Sequence, residues 1–366
     1  MNAVKLSQTV ARSLLAPLIA VVVSMLVTSL VVVIAGASVG DFFSVLFRAP
    51  NHRNIVNIVN QTSMLFLAAL AASIGFRMNL FNIGVEGQYT IAAYMAAWIA
   101  GEALLPGKLN ILLALVVAVT VGAVWAGIAG VLKVTRGVSE VISTIMLNAI
   151  AVTIVGYLLN NYGDEAGQGR RTTPIPDSSR LAGWQPWDVG DGAIWTLALI
   201  AVLAGVSMSF VINRTRFGFD LRATGTNEDA AVASGVNVKK MVVISMLLSG
   251  GIAGLIWMPA LFGGANSYGT SFQPLLGFTG IAVALLGRNR PLGMAFGAVL
   301  FAWLSEQANP LTLDADISPS IVQITQGVVV LAVVVAYEVV RRWGVAREQR
   351  ELRAALDSGP KTEVTA

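Results

Sequence analysis

An all-α polytopic membrane protein is the fold class this sequence predicts: about ten transmembrane helices in two inverted five-helix halves, with both termini cytoplasmic. Three observations predict it. The 366 residues are 55% hydrophobic and only 12% charged, with a mean hydropathy of +0.73. Soluble chains carry about 25% charged residues, so half that fraction points to lipid as the solvent. The apolar residues fall into runs near the roughly 20 residues that a bilayer core of about 30 Å requires. Finally, the basic residues sort by side. Numbering the runs from a cytoplasmic amino terminus places 18 of the 24 lysines and arginines inside and six outside, the bias that orients membrane helices. An odd helix count would spoil it.

In chain order the predicted spans are 14–36, 57–75, 84–101, 110–132, 139–160, 193–212, 241–262, 274–287, 291–309 and 319–340. The first follows Lys5 and Arg12, is too long for a signal-peptide core and reads as a retained helix. His52, the single histidine, lies in the polar stretch 49–54 before the second span and reads as an interfacial residue. The run at 274–287 is short enough to be broken, re-entrant or buried among other helices. Trp184, Trp187, Trp195 and Trp343 flank span ends, where amphipathic aromatics favour the headgroup level. Glu140 and Glu338 lie near span ends and are expected in interfacial ion pairs, while Glu306 is left open.

The ten spans divide into five plus five, the first set starting inside and the second starting outside, as an inverted repeat requires. Two polar, glycine-containing interruptions occupy corresponding places. The first is GFRMNLFNIGVEGQ at 75–88 and the second GGANSYGTSFQPLLGFTG at 263–280. A charge at membrane depth costs roughly 2.5–3.5 kcal/mol on insertion scales, so Arg77 and Glu86 there mark a partner, a bend or a route. The glycines allow tight backbone approach, and the amides offer both donors and acceptors. Candidate route residues are Asn82, Glu86 and Gln88, with Asn148 in the fifth span and Gln273 and Thr279 from the second half. Arg77 and Glu86 are candidates to neutralise one another.

Residues 161–192 form a polar external loop of mixed charge, a docking surface for a binding protein or simply a solvated loop. The largest cytoplasmic connection is 213–240. There Asn227 reads as a helix N-cap, with Glu228 and Asp229 in the first turn and Gly235 as the terminator. A short displayed helix of this kind suits docking into a groove of another protein. The tail 345–366 reads as a short charged helix and then a disordered end.

This loop resembles the cytoplasmic EAA loop of ABC importer permeases, through Asp229-Ala230-Ala231 and Gly235. The Ile-x-Leu-Pro ending of that consensus is absent, with Ser245 and Leu248 in two of its positions. The departure is similar to the branched-chain amino acid, ribose and nucleoside permease superfamily. FNIGVEGQ at 81–88, EVISTIMLN at 140–148 and GFTGIAVALLGRNRPLG at 277–293 resemble its nucleoside and simple-sugar permeases, and the likeness runs from about 57 to 340.

The resemblance implies a transmembrane permease domain at 1–344 in a bacterial inner membrane, surrounded by lipid. It implies three partners: an ATP-binding subunit, a second permease that is a related but different chain, and an extracytoplasmic substrate-binding lipoprotein. The ATPase contact would use Arg222, Asn227, Glu228, Asp229, Ala230, Ala231 and Gly235. The chain has no G-x-x-x-x-G-K-[ST], so it would bind no cofactor and leave ATP to that separate subunit. Amide-rich candidates suit nucleosides, with simple sugars or branched-chain amino acids as alternatives. A stand-alone transporter driven by an ion gradient through Glu86 or Glu306 is the competing class. An intramembrane enzyme or metal site is not expected, because cysteine is absent, histidine is single and every lysine lies outside the spans. The net charge of +4 sorts by membrane side and gives no nucleic-acid patch.

Overall fold

The computed structural model describes residues 3–357, and it is helical throughout its apolar stretches. The helices are α1 (Ala3–Ile34), α2 (Val39–Leu46), α3 (His52–Arg77), α4 (Val85–Gly101), α5 (Lys108–Arg136) and α6 (Glu140–Tyr162). A short hairpin follows, β1 (Asp164–Ala166) against β2 (Gly169–Arg171). Then come α7 (Leu199–Arg214), α8 (Arg216–Thr226), α9 (Glu228–Ala233), α10 (Val238–Gly254), α11 (Met258–Ala260), α12 (Leu276–Leu286), α13 (Pro291–Glu306), α14 (Ala308–Ala315) and α15 (Pro319–Asp357).

Each of the ten apolar runs is helical. Among the described residues, six helices are long and apolar enough to cross a membrane: His52–Arg77, Lys108–Arg136, Glu140–Tyr162, Thr196–Arg214, Val238–Ala265 and Pro319–Val340. Within α1, Leu18–Ile34 is apolar. Helices α4, α12 and α13 have 17, 11 and 16 residues, below the usual spanning length. The expected short run is therefore a half-length helix of about 16 Å at 1.5 Å per residue. The last helix passes the expected boundary at 344 without a break and continues to Asp357; the end read as disordered, 359–366, lies outside the described residues.

The chain divides into two compact units. In one, formed by residues up to Leu46 and from Ala308 onward, α1 packs along α15 and α2 against α14. The other, Phe47–Gln307, is built around α3 and α10. Helix α3 packs on α10, α12 and α13, while α10 packs on α3, α4 and α5. Exchanging α3 with α10, α4 with α12 and α5 with α13 maps these neighbours onto one another, and α4–α5 onto α12–α13.

Small residues make the contacts close. A Cβ on Gly122 or Gly250 would strike the carbonyl of the other, and one on Gly254 would strike Ala118. Ala118, Gly122 and Ala126 recur every fourth residue on α5, facing Gly250 and Gly254 four apart on α10. Small residues at this spacing let helix backbones approach where lipid gives no hydrophobic drive to associate. On α12, Gly280 meets Ala68 of α3 in the same way.

The segment between α6 and α7 is ordered by the second interruption. After α11 the chain forms a π-turn, Leu261–Ala265, and Asn266 turns left-handed at φ 54°. Thr172 N–H then donates to the Tyr268 carbonyl (2.8 Å) and Ile175 N–H to the Asn266 carbonyl (2.8 Å). His52 stacks on Trp187 at 4.6 Å, and its Nδ1 lies 3.4 Å from Asp191. Trp195 lies against Gly263, where a Cβ has no room.

Candidate functional site

Helix α3 ends at Arg77, and the chain runs irregularly to α4 at Val85. Asn79 enters the left-handed region at φ 56°, which an asparagine tolerates better than most residues. Asn82 then centres a buried polar knot. Its Oδ1 accepts from Gly84 N–H (3.0 Å) and from Gln88 Nε2 (2.9 Å). Its Nδ2 donates to Ser249 Oγ of α10 (2.8 Å) and to Gln88 Oε1 (3.2 Å). Ser249 in turn donates to the Ala71 carbonyl of α3 (2.7 Å). Asn148 of α6 accepts from Gly87 N–H (2.8 Å) and donates to the Ile83 carbonyl (2.9 Å). Asn82 and Gln88 are 0% and 1% exposed. These amides therefore spend their hydrogen bonds on the bend and on its neighbours, as buried polar groups must.

Glu86 lies in the first turn of α4 and is buried. Its carboxylate accepts from the backbone N–H of Leu275 (2.7 Å) and of Gly277 (2.9 Å) at the start of α12. One anion thus serves the amino-terminal ends of two helices, where the backbone dipoles favour negative charge. Tyr89, one turn along α4, lies 3.5 Å from Glu86 Oε1 and donates to the Gln273 carbonyl at 2.5 Å. Gly277 is required, since a Cβ there would sit 2.5 Å from the Glu86 amide nitrogen. The expected pairing of Arg77 with Glu86 does not form. Arg77 Nη2 donates instead to the Asn289 carbonyl in the left-handed turn between α12 and α13. The carboxylate is held by backbone amides, so it needs no arginine.

Gln273 and Thr279 differ from the other candidates. The Gln273 side chain is exposed and Thr279 is half-buried, with its hydroxyl on the Leu275 carbonyl (2.9 Å). The structure thus gathers Asn82, Gln88 and Asn148 around one bend, ties Glu86 to the loop carrying Gln273, and leaves Gln273 and Thr279 accessible. Ser249, Tyr89 and Gly277 complete the arrangement. Gly277 stands in the quoted GFTG run, but nothing in the sequence pairs Ser249 with Asn82.

At the other candidate surface, Asn227 Oδ1 caps α9 by accepting from Ala230 N–H (2.9 Å). Gly235, at φ 82°, closes the helix: its N–H bonds the Val232 carbonyl (2.9 Å), and Val236 N–H bonds that of Ala231 (3.0 Å). Glu228, Asp229, Ala230 and Gly235 are exposed. Ala231 is turned inward and buried, because a six-residue helix resting on the protein must hide one face. Arg222 is spent on the Ile212 carbonyl at the end of α7. Val232 and Phe219, 59% and 60% exposed, are the apolar groups displayed here, and Phe219 sits on α8, a helix rich in glycine and threonine. Beneath them Gly225 lies directly on the Arg77 carbonyl, with no room for a side chain.

The carboxylates near span ends are paired. Lys133 Nζ lies 2.7 Å from Glu140, and Arg342 Nε lies 2.6 Å from Glu338. Glu306, left open by the sequence, accepts from Asn57 Nδ2 (3.0 Å).

The family model described as "Branched-chain amino acid transport system / permease component" matches residues 54–336. The guanosine ABC transporter permease protein NupP of Bacillus subtilis is 31% identical over 341 residues, covering 89% of this chain and 94% of its own. The nucleoside ABC transporter permease protein NupB of Lactococcus lactis subsp. cremoris is 30% identical over 335 residues, covering 89% and 92%. The glucose ABC transporter permease protein TsgB13 of Haloferax volcanii is 28% identical over 361 residues, covering 93% of each.

Proposed function

This chain belongs to the branched-chain amino acid transport system / permease component family, and from that premise we propose that it is the membrane-spanning permease subunit of an ATP-driven nucleoside importer. The observation that carries the substrate class is similarity along nearly the full length to guanosine and nucleoside permeases, at 31% and 30% identity. It is a transport subunit and not an enzyme. ATP hydrolysis belongs to a separate ATP-binding subunit, which docks on α9 through Glu228, Asp229, Ala230 and Val232. A second, related permease completes the route, and a lipoprotein delivers substrate to the external segment 161–192. The complex sits in a bacterial inner membrane.

The ten-crossing topology, with two inverted halves and both termini inside, is supported by the basic-residue asymmetry and by the exchangeable neighbours of α3 and α10. In this reading the route passes the accessible Gln273 and Thr279. Asn82, Glu86, Gln88 and Asn148 form the wall behind it and keep the two broken segments in register. A nucleoside presents ribose hydroxyls and base edges, which uncharged amide and hydroxyl groups can match. A simple sugar is the second reading, favoured by the 28% identity to a glucose permease over 93% of both chains.

Uptake assays test this directly. The chain is reconstituted with an ABC ATPase, a related permease and a substrate-binding lipoprotein from the same cell, and labelled guanosine, uridine, glucose and leucine are offered with ATP. Nucleoside uptake that requires ATP is the expected result. Uptake of glucose alone selects the second reading, and uptake by this chain alone under an ion gradient sinks both.

A further inference from the structure

A groove of about 1330 Å³ runs down the outside of the second unit, between α7 and α13 with α3 as its floor. Its rims are Val202, Val206 and Phe210 on α7 and Leu292 and Phe296 on α13. These side chains are 57%, 65%, 62%, 77% and 76% exposed. Phe66 fills the floor beside Gly205. Trp184 and Trp195 close one end and Arg214 the other. The 16 residues of α7 make the groove about 24 Å long, most of the roughly 30 Å hydrocarbon core.

We propose that this groove is a binding site for an anionic phospholipid, its acyl chains lying along α7 and its phosphate on Arg214. Charge chooses the headgroup. Arg214 is exposed at the last turn of α7, and Arg290, also exposed, immediately precedes Pro291 at the same end. Basic pockets between membrane helices hold anionic headgroups in this way. The shape of the walls chooses lipid over another protein's helix. Helices meet through small residues, as α5 and α10 do here through Gly122 and Gly250. The rims of this groove carry large flexible apolar groups instead, separated by a gap that chains can fill. The proposal needs only that these helices lie in a bilayer and is independent of the substrate.

The full chain, in the complex in which it purifies, is placed in phosphatidylcholine nanodiscs. These carry a trace of phosphatidylglycerol or of phosphatidylcholine bearing a diazirine in the acyl chain. After irradiation the adducts are mapped by mass spectrometry. Phosphatidylglycerol adducts on Val206, Phe210 and Phe296 should exceed phosphatidylcholine adducts by about fivefold, the worth of roughly one basic residue at an anionic surface. Arg214→Gln with Arg290→Gln should abolish that excess, and Arg214→Lys should keep it. If the double variant does not purify as a monodisperse protein, Val206→Trp decides. It leaves both arginines and obstructs the groove midway along α7, so it should lower the adducts on Phe210 and Phe296 while adducts elsewhere persist, and unchanged adducts there overturn the proposal. Equal labelling by the two lipids overturns the proposal, as does an excess that survives the arginine changes. Absence of lipid adducts from Val206, Phe210 and Phe296, with adducts present elsewhere on the chain, overturns it too.

Discussion

Glu86 shows how a buried carboxylate is held without a cation. Its oxygens accept two backbone N–H groups from the start of α12, each a charge-assisted bond shorter than 3 Å. Glu86→Gln keeps the shape but turns an NH₂ group toward one of those donors, and a buried donor left unsatisfied costs about 1–3 kcal/mol. The variant should unfold at lower temperature in detergent and transport less. Glu86→Asp should fare no better, because a shorter arm cannot bridge both amides. Wild-type thermal stability and uptake in Glu86→Gln would show that the two bonds do not hold α12. The sequence marks Glu86 as out of place in apolar surroundings, yet its partners are 189 and 191 residues away, and no local pattern encodes them.

Among elements, the pair α8–α9 allows the proposed docking on α9 to be tested apart from transmission through α8. Gly235 holds a left-handed turn, and a β-branched residue there costs roughly 1–2 kcal/mol. Gly235→Val together with Asp229→Ala should fray α9 and lose co-purification with the ATPase, leaving the membrane helices folded. Gly225 acts differently, for it presses on the Arg77 carbonyl just before the bend that holds Asn82. Gly225→Ala should retain the ATPase but lower transport per ATP hydrolysed, since the added methyl pushes α8 away from the bend. A paired measurement of pull-down and coupling ratio distinguishes the two; identical phenotypes would refute the division of labour. The caps of α9 were legible because an asparagine before a polar first turn and a glycine after the last are local signals. The inward turn of Ala231 was not, since it depends on what lies beneath. Helix α8 was also hidden, because its Gly and Thr content is poor for helix formation and its packing on α3 and α10 supplies the stability.

For the molecule as a whole, hydropathy located every apolar helix, because burial in lipid acts on composition within one segment. It marked 274–287 as short but did not mark α4 or α13, and it could not show which glycines make the helices touch. Gly250→Val illustrates the second point: its side chain has no space beside Gly122, so α5 and α10 must separate. Overpacking of this kind costs about 1–3 kcal/mol or more, and the variant should express poorly or unfold early. Sidedness is the larger claim, and the chain is suited to test it because it contains no cysteine. Single cysteines at Gln168 in the hairpin turn, at Ser234 after α9 and at Gln8 near the amino terminus would report three positions. An impermeant maleimide applied to intact spheroplasts should label Gln168→Cys, and should reach the other two only after lysis. The reason is electrostatic: lysines and arginines resist translocation, and the connection carrying Ser234 is flanked by Arg214, Arg216, Lys239 and Lys240. Labelling of Ser234→Cys from outside would invert the permease and leave its ATPase surface on the wrong side. Labelling of Gln8→Cys alone would remove one crossing from the first half and break the match between halves.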